Sequence, residues 1–435
     1  MELLLDVRLL GATAVVLSVV AVVAVRRPDW LLPGGAALGV VLTRPSVVGE
    51  QVPVLGPVVL VAVAGGAVVT ALRHRTRDVG VPPWPFALFA AAWLWLAVHR
   101  LLNPLAEPNL ATSTVTVLVP VLAFYPVVRD RALLERTRTV LVGIVVVVAA
   151  LTVVALVPIT LLGPTATLVG TVPLGYTGGS ALYLPGALAY GIDPNALLPR
   201  MLGLGREPGM GALVAGWAYF AMPRGFPHAR AAKVLLLLGL LATQSTAGVG
   251  IVGVCLVLQA VVGRERFSPT AAVVAVIGGI GAVSLAVFDA SFGLLSKVDS
   301  GGGSFSDRNQ ATADGLTALL THPFTAASTA PLSSVNLVAS IAVDGAPWFL
   351  LAGAVLLAPV LRARRRDPLR YGSLLVLVVM LTSQPLAGNA GVLLLAVISF
   401  YAAARPPRDA PVTAPEARRT AAPPPAPAAV TGAHP

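Results

Sequence analysis

The sequence predicts an all-α fold, a polytopic membrane protein of about twelve or thirteen transmembrane helices with a large extracytoplasmic loop between late helices. Three observations predict it. Of 435 residues, 56% are hydrophobic and only 11% are charged, where a soluble domain carries about 25% charged residues. The mean hydropathy is +0.85. The apolar residues come in blocks, many of them long enough to cross about 30 Å of hydrocarbon, separated by short arginine-rich breaks. A net charge of +11 does not indicate nucleic acid here, because the cations sit in those breaks and in the tail, where the bias toward positive cytoplasmic loops places them.

The blocks run 8–25, 30–46, 54–72, 84–102, 111–127, 139–162, 209–222, 233–247, 248–263, 270–289, 346–361, 371–386 and 388–404. The breaks assigned to the cytoplasm are Arg26-Arg27, Arg73 to Arg77, Arg129 to Arg138, Arg224 to Lys233, Arg264 to Arg266 and Arg362 to Arg370. The block 8–25 is expected to be a retained span rather than a signal peptide, since Glu2 and Asp6 offset Arg8 ahead of it and Arg26-Arg27 follow it. This divides the chain into N-terminal spans (1–162), a first extracytoplasmic loop (163–208), central spans (209–289), a large extracytoplasmic loop (290–345) and C-terminal spans (346–404). The Pro/Ala-rich tail 405–435 cannot bury a core and is expected to be disordered and cytoplasmic. The expected location is the cytoplasmic membrane.

Several classes of chemistry find no support. The five histidines, His74, His99, His228, His322 and His434, have no metal-ligand spacing, and the lone Cys255 precludes an internal disulfide or a multi-thiolate site. No metal and no cofactor is expected. The Gly301-Gly-Gly303 run lacks the lysine of a phosphate-binding loop, so it reads as a hinge. The span centres hold almost no ionisable residue, which weakens an ion-coupled carrier, although a transporter or flippase of lipid-linked glycans stays open as an alternative.

The two polar loops hold arginines that run against the charge bias of the translocated side. Arg200 and Arg206 lie beside Glu207-Pro208-Gly209 at the entry to a span. Guanidiniums stay charged and grip phosphate oxygens bidentately, and the first N–H groups of a helix add donors. Headgroup snorkelling or pairing with Glu207 is the bland alternative. The later loop holds Asp307-Arg308, His322-Pro323 and Asn336, with 308–320 placing Ala311, Leu316, Leu319 and Leu320 near one side, as in a helix along the membrane surface. Asp307 could be the N-cap of that helix. Trp84, Trp93, Trp95, His99 and Arg100 follow one span and read as an interfacial belt, with Arg100 able to meet a lipid carrier. Ser245 and Gly248 are expected to let two short spans pack closely.

In order, Arg200-x-x-Gly203-x-x-x-Glu207-Pro208, Ser245-x-x-Gly248, Ser306-x-Arg308, His322-Pro323, and Asn336 with Gly345 resemble the motifs of the O-antigen polymerase and O-antigen ligase superfamily, over about residues 195 to 400. The resemblance implies a helical bundle with a large outer loop, and a transferase that moves a glycan from undecaprenyl diphosphate to a sugar hydroxyl without metal or nucleotide. It implies that Arg200 and Arg308 hold the diphosphate. Arg206 joins them on charge and proximity alone, and Asn336 and Arg100 are added as weaker glycan contacts. Where ligases carry His before the Asn, this chain has Val335, and Ala326 and Ser328 replace the usual glycines after His-Pro. These departures favour a polymerase over a ligase and leave a non-catalytic member open. Charge building on the leaving diphosphate would be met by guanidiniums. The acceptor hydroxyl needs a base, for which Glu207 and His322 are the candidates, ahead of Asp307 and Asp344. The expected partners are the lipid-linked glycan, membrane lipids and other polysaccharide-assembly proteins.

Overall fold

The computed structural model describes residues 30–74, 82–102, 112, 114–172, 180–190, 198–262, 269–289, 294–295, 303–324, 335–384, 386 and 388–403. The first expected span, the breaks at Arg26-Arg27 and Arg264 to Arg266, Ala326, Ser328 and the tail lie outside them. The described chain is mostly helical: α1 (Leu31–Val41), α2 (Leu55–His74), α3 (Trp84–Leu102), α4 (Arg131–Leu162), α5 (Pro208–Ala221), α6 (Ala229–Ala242), α7 (Thr246–Val262), α8 (Pro269–Phe288), α9 (Gly303–Thr321), α10 (Ile341–Arg362), α11 (Pro368–Thr382) and α12 (Ala390–Ala402).

Four of these, α2, α3, α4 and α10, are long and apolar enough to cross a membrane, and several shorter apolar helices accompany them. Their outward faces carry large apolar side chains, among them Val58, Leu94, Val147, Val154 and Leu161, with Val274, Ile277 and Ile280 on α8. Such a surface is compatible with a hydrocarbon solvent and unusual for one bathed in water. At the centre stands α12, which is hydrophobic all round and buried from Ala390 to Tyr401. It packs beside α5, and Trp217 Nε1 donates to Ser399 Oγ at 2.9 Å between them. That bond satisfies two polar groups that would otherwise be stranded in the core.

The helices depart from the hydropathy map in three ways. The block 30–46 yields only the 11 residues of α1, about 17 Å of helix, and the chain then turns at Thr43 to Ser46 into a short helix, Val47–Gln51. The break at Arg129 to Arg138 is largely helical: Asp130 caps α4 by accepting from Ala132 N and Leu133 N, and α4 runs 32 residues. On the other side, α10 begins at Ile341, inside the expected loop, and kinks at Gly345, whose φ of 80° suits a residue without a Cβ.

The mostly helical fold carries one small β element. Three short strands, β1 (Leu168–Val172), β2 (Ser180–Tyr183) and β3 (Ala187–Tyr190), form an antiparallel sheet in that spatial order. Ala181, Tyr183, Ala187 and Ala189 bury one face against Ala155 and Ile159 of α4 and Ala242 of α6. Alternation of buried and exposed residues across a three-residue turn is the physical signature of a half-buried hairpin.

Candidate functional site

The charged residues gather at opposite ends of the bundle. At one end Lys233 lies over the Tyr219 ring, Arg129 over Tyr125 and Arg362 over Phe400, at 4.9, 5.6 and 4.5 Å from the centroids. Tyr401 Oη donates to Pro82 O and Tyr371 Oη to Arg365 O, and Arg138 pairs with Glu135 at 2.6 Å. The described arginine-rich breaks thus share one end. The two polar loops converge on the other.

There the sheet sets the position of Arg200. Tyr190 N donates to Arg200 O at 2.8 Å, Leu202 N donates to Leu188 O at 2.8 Å, and Met201 N donates to Ala242 O at 3.0 Å, so the segment continues the sheet edge. The Arg200 guanidinium lies over the Tyr190 ring, 5.6 Å from its centroid. After Gly203, at φ 58°, the chain lies directly on the start of α5. A Cβ on Gly211 would collide with Leu202 O, and one on Gly205 with Gly211 N, so the glycines of this motif permit a close backbone approach. Glu207 is the residue before α5, and its side chain makes no cap bond to the helix.

Burial lowers the pKa of Arg200; the Tyr190 oxygen opposes that, Arg308 lowers it further and Glu207 raises it. Arg200 therefore feels Glu207 of its own loop and Arg308 of a loop about a hundred residues further on. It remains a cation at neutral pH. Among the described residues neither Arg200 nor Arg308 has a carboxylate within ion-pair distance, and Arg200 Nε is buried without a hydrogen-bond partner.

Arg308 rides on α9, whose packed face differs from the expected one. Ala311 and Ala318 are buried, and Gly315 fits where a Cβ would strike Val338 O, so small residues seat the helix on the start of α10. Leu316, Leu319 and Leu320 are exposed instead. The helix starts at Gly303, so Asp307 lies within it rather than at its N-cap, and is exposed. Asn336 is 1% exposed. Its Nδ2 donates to Thr312 Oγ1 at 2.9 Å and its Oδ1 accepts from Ala339 N at 2.7 Å. Thr312 Oγ1 in turn donates to Arg308 O, so Asn336 anchors the turn of α9 that carries Arg308. His322 is exposed beyond the other end of α9, its Nδ1 beside Thr321 Oγ1 at 2.9 Å. Fourteen residues of helix place it about 21 Å along the axis from Arg308. The two loops meet at the C-terminal end of α11, where a Cβ on Gly209 would strike the Gln384 side chain and Asn336 Nδ2 donates to Thr382 O at 3.4 Å, while His322 lies beyond the far end of α9.

Arg206 has a partner that hydropathy could not reveal. Its Nη1 donates to Glu50 Oε2 at 3.0 Å, and Arg44 Nε lies 3.2 Å from the same oxygen. Glu50 is thus a partner of Arg206 from a distant part of the chain. The residues missed are Arg44 and Glu50; the available signal was a further arginine in an outer turn, the same anomaly that marks Arg200. Arg100 also faces inward, its Nη2 3.8 Å from Asp344 Oδ1, a carboxylate 3% exposed. Trp95 Nε1 donates to Asp344 O at 2.7 Å, and His99 is buried, so this stretch of α3 packs on α10 and is not simply an interfacial belt. Gly248 likewise backs onto Ala212 of α5, with Ser245 Oγ accepting from Gly248 N, so this pair seats α7 on α5.

Among the described residues no three His, Cys, Asp or Glu side chains gather as a metal site. No protein-family model, curated protein or solved structure matches the chain.

Proposed function

We propose that this protein is a membrane glycosyltransferase of the O-antigen polymerase kind, joining undecaprenyl-diphosphate-linked oligosaccharide repeat units into a cell-surface or exopolysaccharide at the outer face of the cytoplasmic membrane. One observation carries the reading: the segment of Arg200 and the helix of Arg308 come from separate loops to the same end of the bundle, where Gly209 and Asn336 both meet the end of α11, and among the described residues no carboxylate stands at ion-pair distance from either arginine. Bringing two cations together costs energy that an anion between them recovers. A lipid diphosphate at a membrane boundary supplies that anion.

The chemistry follows. The acceptor hydroxyl oxygen forms a bond to the anomeric carbon of the donor glycan. The bond from that carbon to the diphosphate oxygen breaks, and undecaprenyl diphosphate leaves with the electron pair. Arg200 and Arg308 stabilise charge that is greater in the transition state than in the bound donor, which is where binding energy accelerates a reaction. The hydroxyl proton passes to Glu207, whose carboxylate acts on Arg200 through space, in preference to the distant His322. Tyr190 and the sheet hold the Arg200 guanidinium, and Asn336, through Thr312, fixes the backbone turn that carries Arg308, so part of the ordering is done before substrate binds.

Val335, where ligases carry a histidine, favours chain growth over transfer to a lipid A core. Deleting the gene is the test. A polymerase defect leaves single lipid-linked repeat units and no long chains, whereas long lipid-linked polymer stranded short of its final acceptor would establish a ligase instead. Unchanged glycans in both pools would remove the enzymatic reading.

A further inference from the structure

The turn between α1 and the short helix Val47–Gln51 plays no part in the mechanism above, yet it is built into the same end of the bundle. Pro45 O accepts from Arg206 N at 2.8 Å, Arg44 O accepts from Gly391 N at 2.8 Å, and Ser46 pairs with Gly205. Ser46 Oγ accepts from Gly49 N at 2.9 Å, and Val47 is buried against Leu202, so the turn is fixed from three sides. The side chain of Arg44 is 30% exposed, and only its Nε edge approaches Glu50. Among the described residues its Nη1 and Nη2 groups make no hydrogen bond.

Glu50 thus presents one carboxylate oxygen to two guanidiniums, 3.2 Å from Arg44 Nε and 3.0 Å from Arg206 Nη1. Arg44 stands on a fixed backbone next to the segment that carries Arg200 and Glu207. The planar guanidinium also keeps its outer pair of N–H groups, the edge that matches an oxyanion bidentately.

Resting on the transferase reading, we propose that Arg44 is a further substrate-binding residue that takes an oxyanion of the lipid-linked donor, and that Glu50 is the positioning residue that aims it. Two parts of such a donor carry that chemistry, the diphosphate and the carboxylate of an acidic sugar.

The test is the affinity of the full-length protein in lipid nanodiscs for three probes: undecaprenyl diphosphate alone, and the same lipid carrying a terminal glucuronic acid or a terminal glucose. Arg44→Ala should weaken binding by about tenfold, the loss expected for a charged hydrogen bond. Weakening for all three probes assigns Arg44 to the diphosphate, and weakening for the glucuronic acid probe alone assigns it to the sugar. Arg44→Lys keeps a cation beside Glu50 and should keep the wild-type melting temperature while recovering little affinity. A lower melting temperature with unchanged affinity for every probe would make Arg44 a structural partner of Glu50 and overturn the proposal. Arg200→Ala separates the two readings. If it abolishes diphosphate binding and Arg44→Ala does nothing, only the role of Arg44 falls; if Arg44→Ala weakens binding and Arg200→Ala does not, Arg44 stands and the diphosphate site has been misplaced.

Discussion

The two ends of the bundle use arginine for different purposes. At the end where the arginine-rich breaks meet, Arg129, Arg362 and Lys233 lie on aromatic rings and Arg138 has Glu135 one turn away. These are local arrangements, in which a cation finds its partner on its own or a neighbouring helix and the charge bias explains its presence. At the opposite end the partners come from far along the chain: Arg206 with Glu50, Arg100 with Asp344, and Arg200 with the field of Arg308. Ordering long-range charges costs more conformational entropy than local pairing does. Among the described residues neither Arg200 nor Arg308 has a carboxylate at ion-pair distance, which is what the proposed anionic partner would complete. Natural sites commonly trade stability for function in this way.

Substitution should expose the contrast most strongly in catalysis. Arg200→Ala or Arg308→Ala should reduce polymer formation by the reconstituted protein by roughly a hundredfold or more, the scale seen when a charge-stabilising donor is removed. Arg→Lys at either position should restore little, because a point charge does not replace a bidentate fork. Arg129→Ala and Arg362→Ala at the other end should stay within about twofold of wild type, since surface cations contribute little. Equal losses at both ends would erase the distinction.

Removal of Arg100 should instead act on stability. It takes a cation away from the buried Asp344 carboxylate, and losing one partner of a buried pair costs about 3 kcal/mol. Thermal unfolding in detergent should show the loss, and Arg100→Ala combined with Asp344→Asn should recover much of it. If the single substitution changes turnover and leaves the melting temperature alone, Arg100 belongs to the site.

A smaller and mixed effect is expected for Asn336→Ala. It leaves Thr312 and the Ala339 N–H without their partner, at about 1–3 kcal/mol, and loosens the turn that carries Arg308. Turnover should fall while the Michaelis constant for acceptor stays near wild type. A Michaelis constant raised with turnover intact would make Asn336 a glycan contact.

How much of this could be read beforehand depends on the range of the interaction. Hydropathy located most helices to within a few residues, as at 84–102 and 270–289, because a buried or lipid-facing helix must be apolar over its whole length. It failed where polar backbone is satisfied by other means. The Ser180–Tyr183 and Ala187–Tyr190 hairpin is too short to stand out from a loop, and α1 stops early because Thr43 to Ser46 turn back toward the 200–206 segment. Motif order, together with residue type, singled out Arg200, Glu207 and Arg308 as candidates. It could not mark Glu50, whose role depends on an arginine 156 positions away. Nor could it show that the Asn336 amide is engaged by Thr312 and Ala339.

The central claim is that two unneutralised guanidiniums form an oxyanion site, and ligand-induced stabilisation tests it most directly. Titrating undecaprenyl diphosphate into the purified protein in nanodiscs should raise the melting temperature in proportion to occupancy. Arg308→Ala should be at least as stable as wild type without the lipid, because a repulsion has been removed, and should gain almost nothing from adding it. Equal stabilisation of the wild-type and Arg308→Ala proteins by undecaprenyl diphosphate would contradict the account.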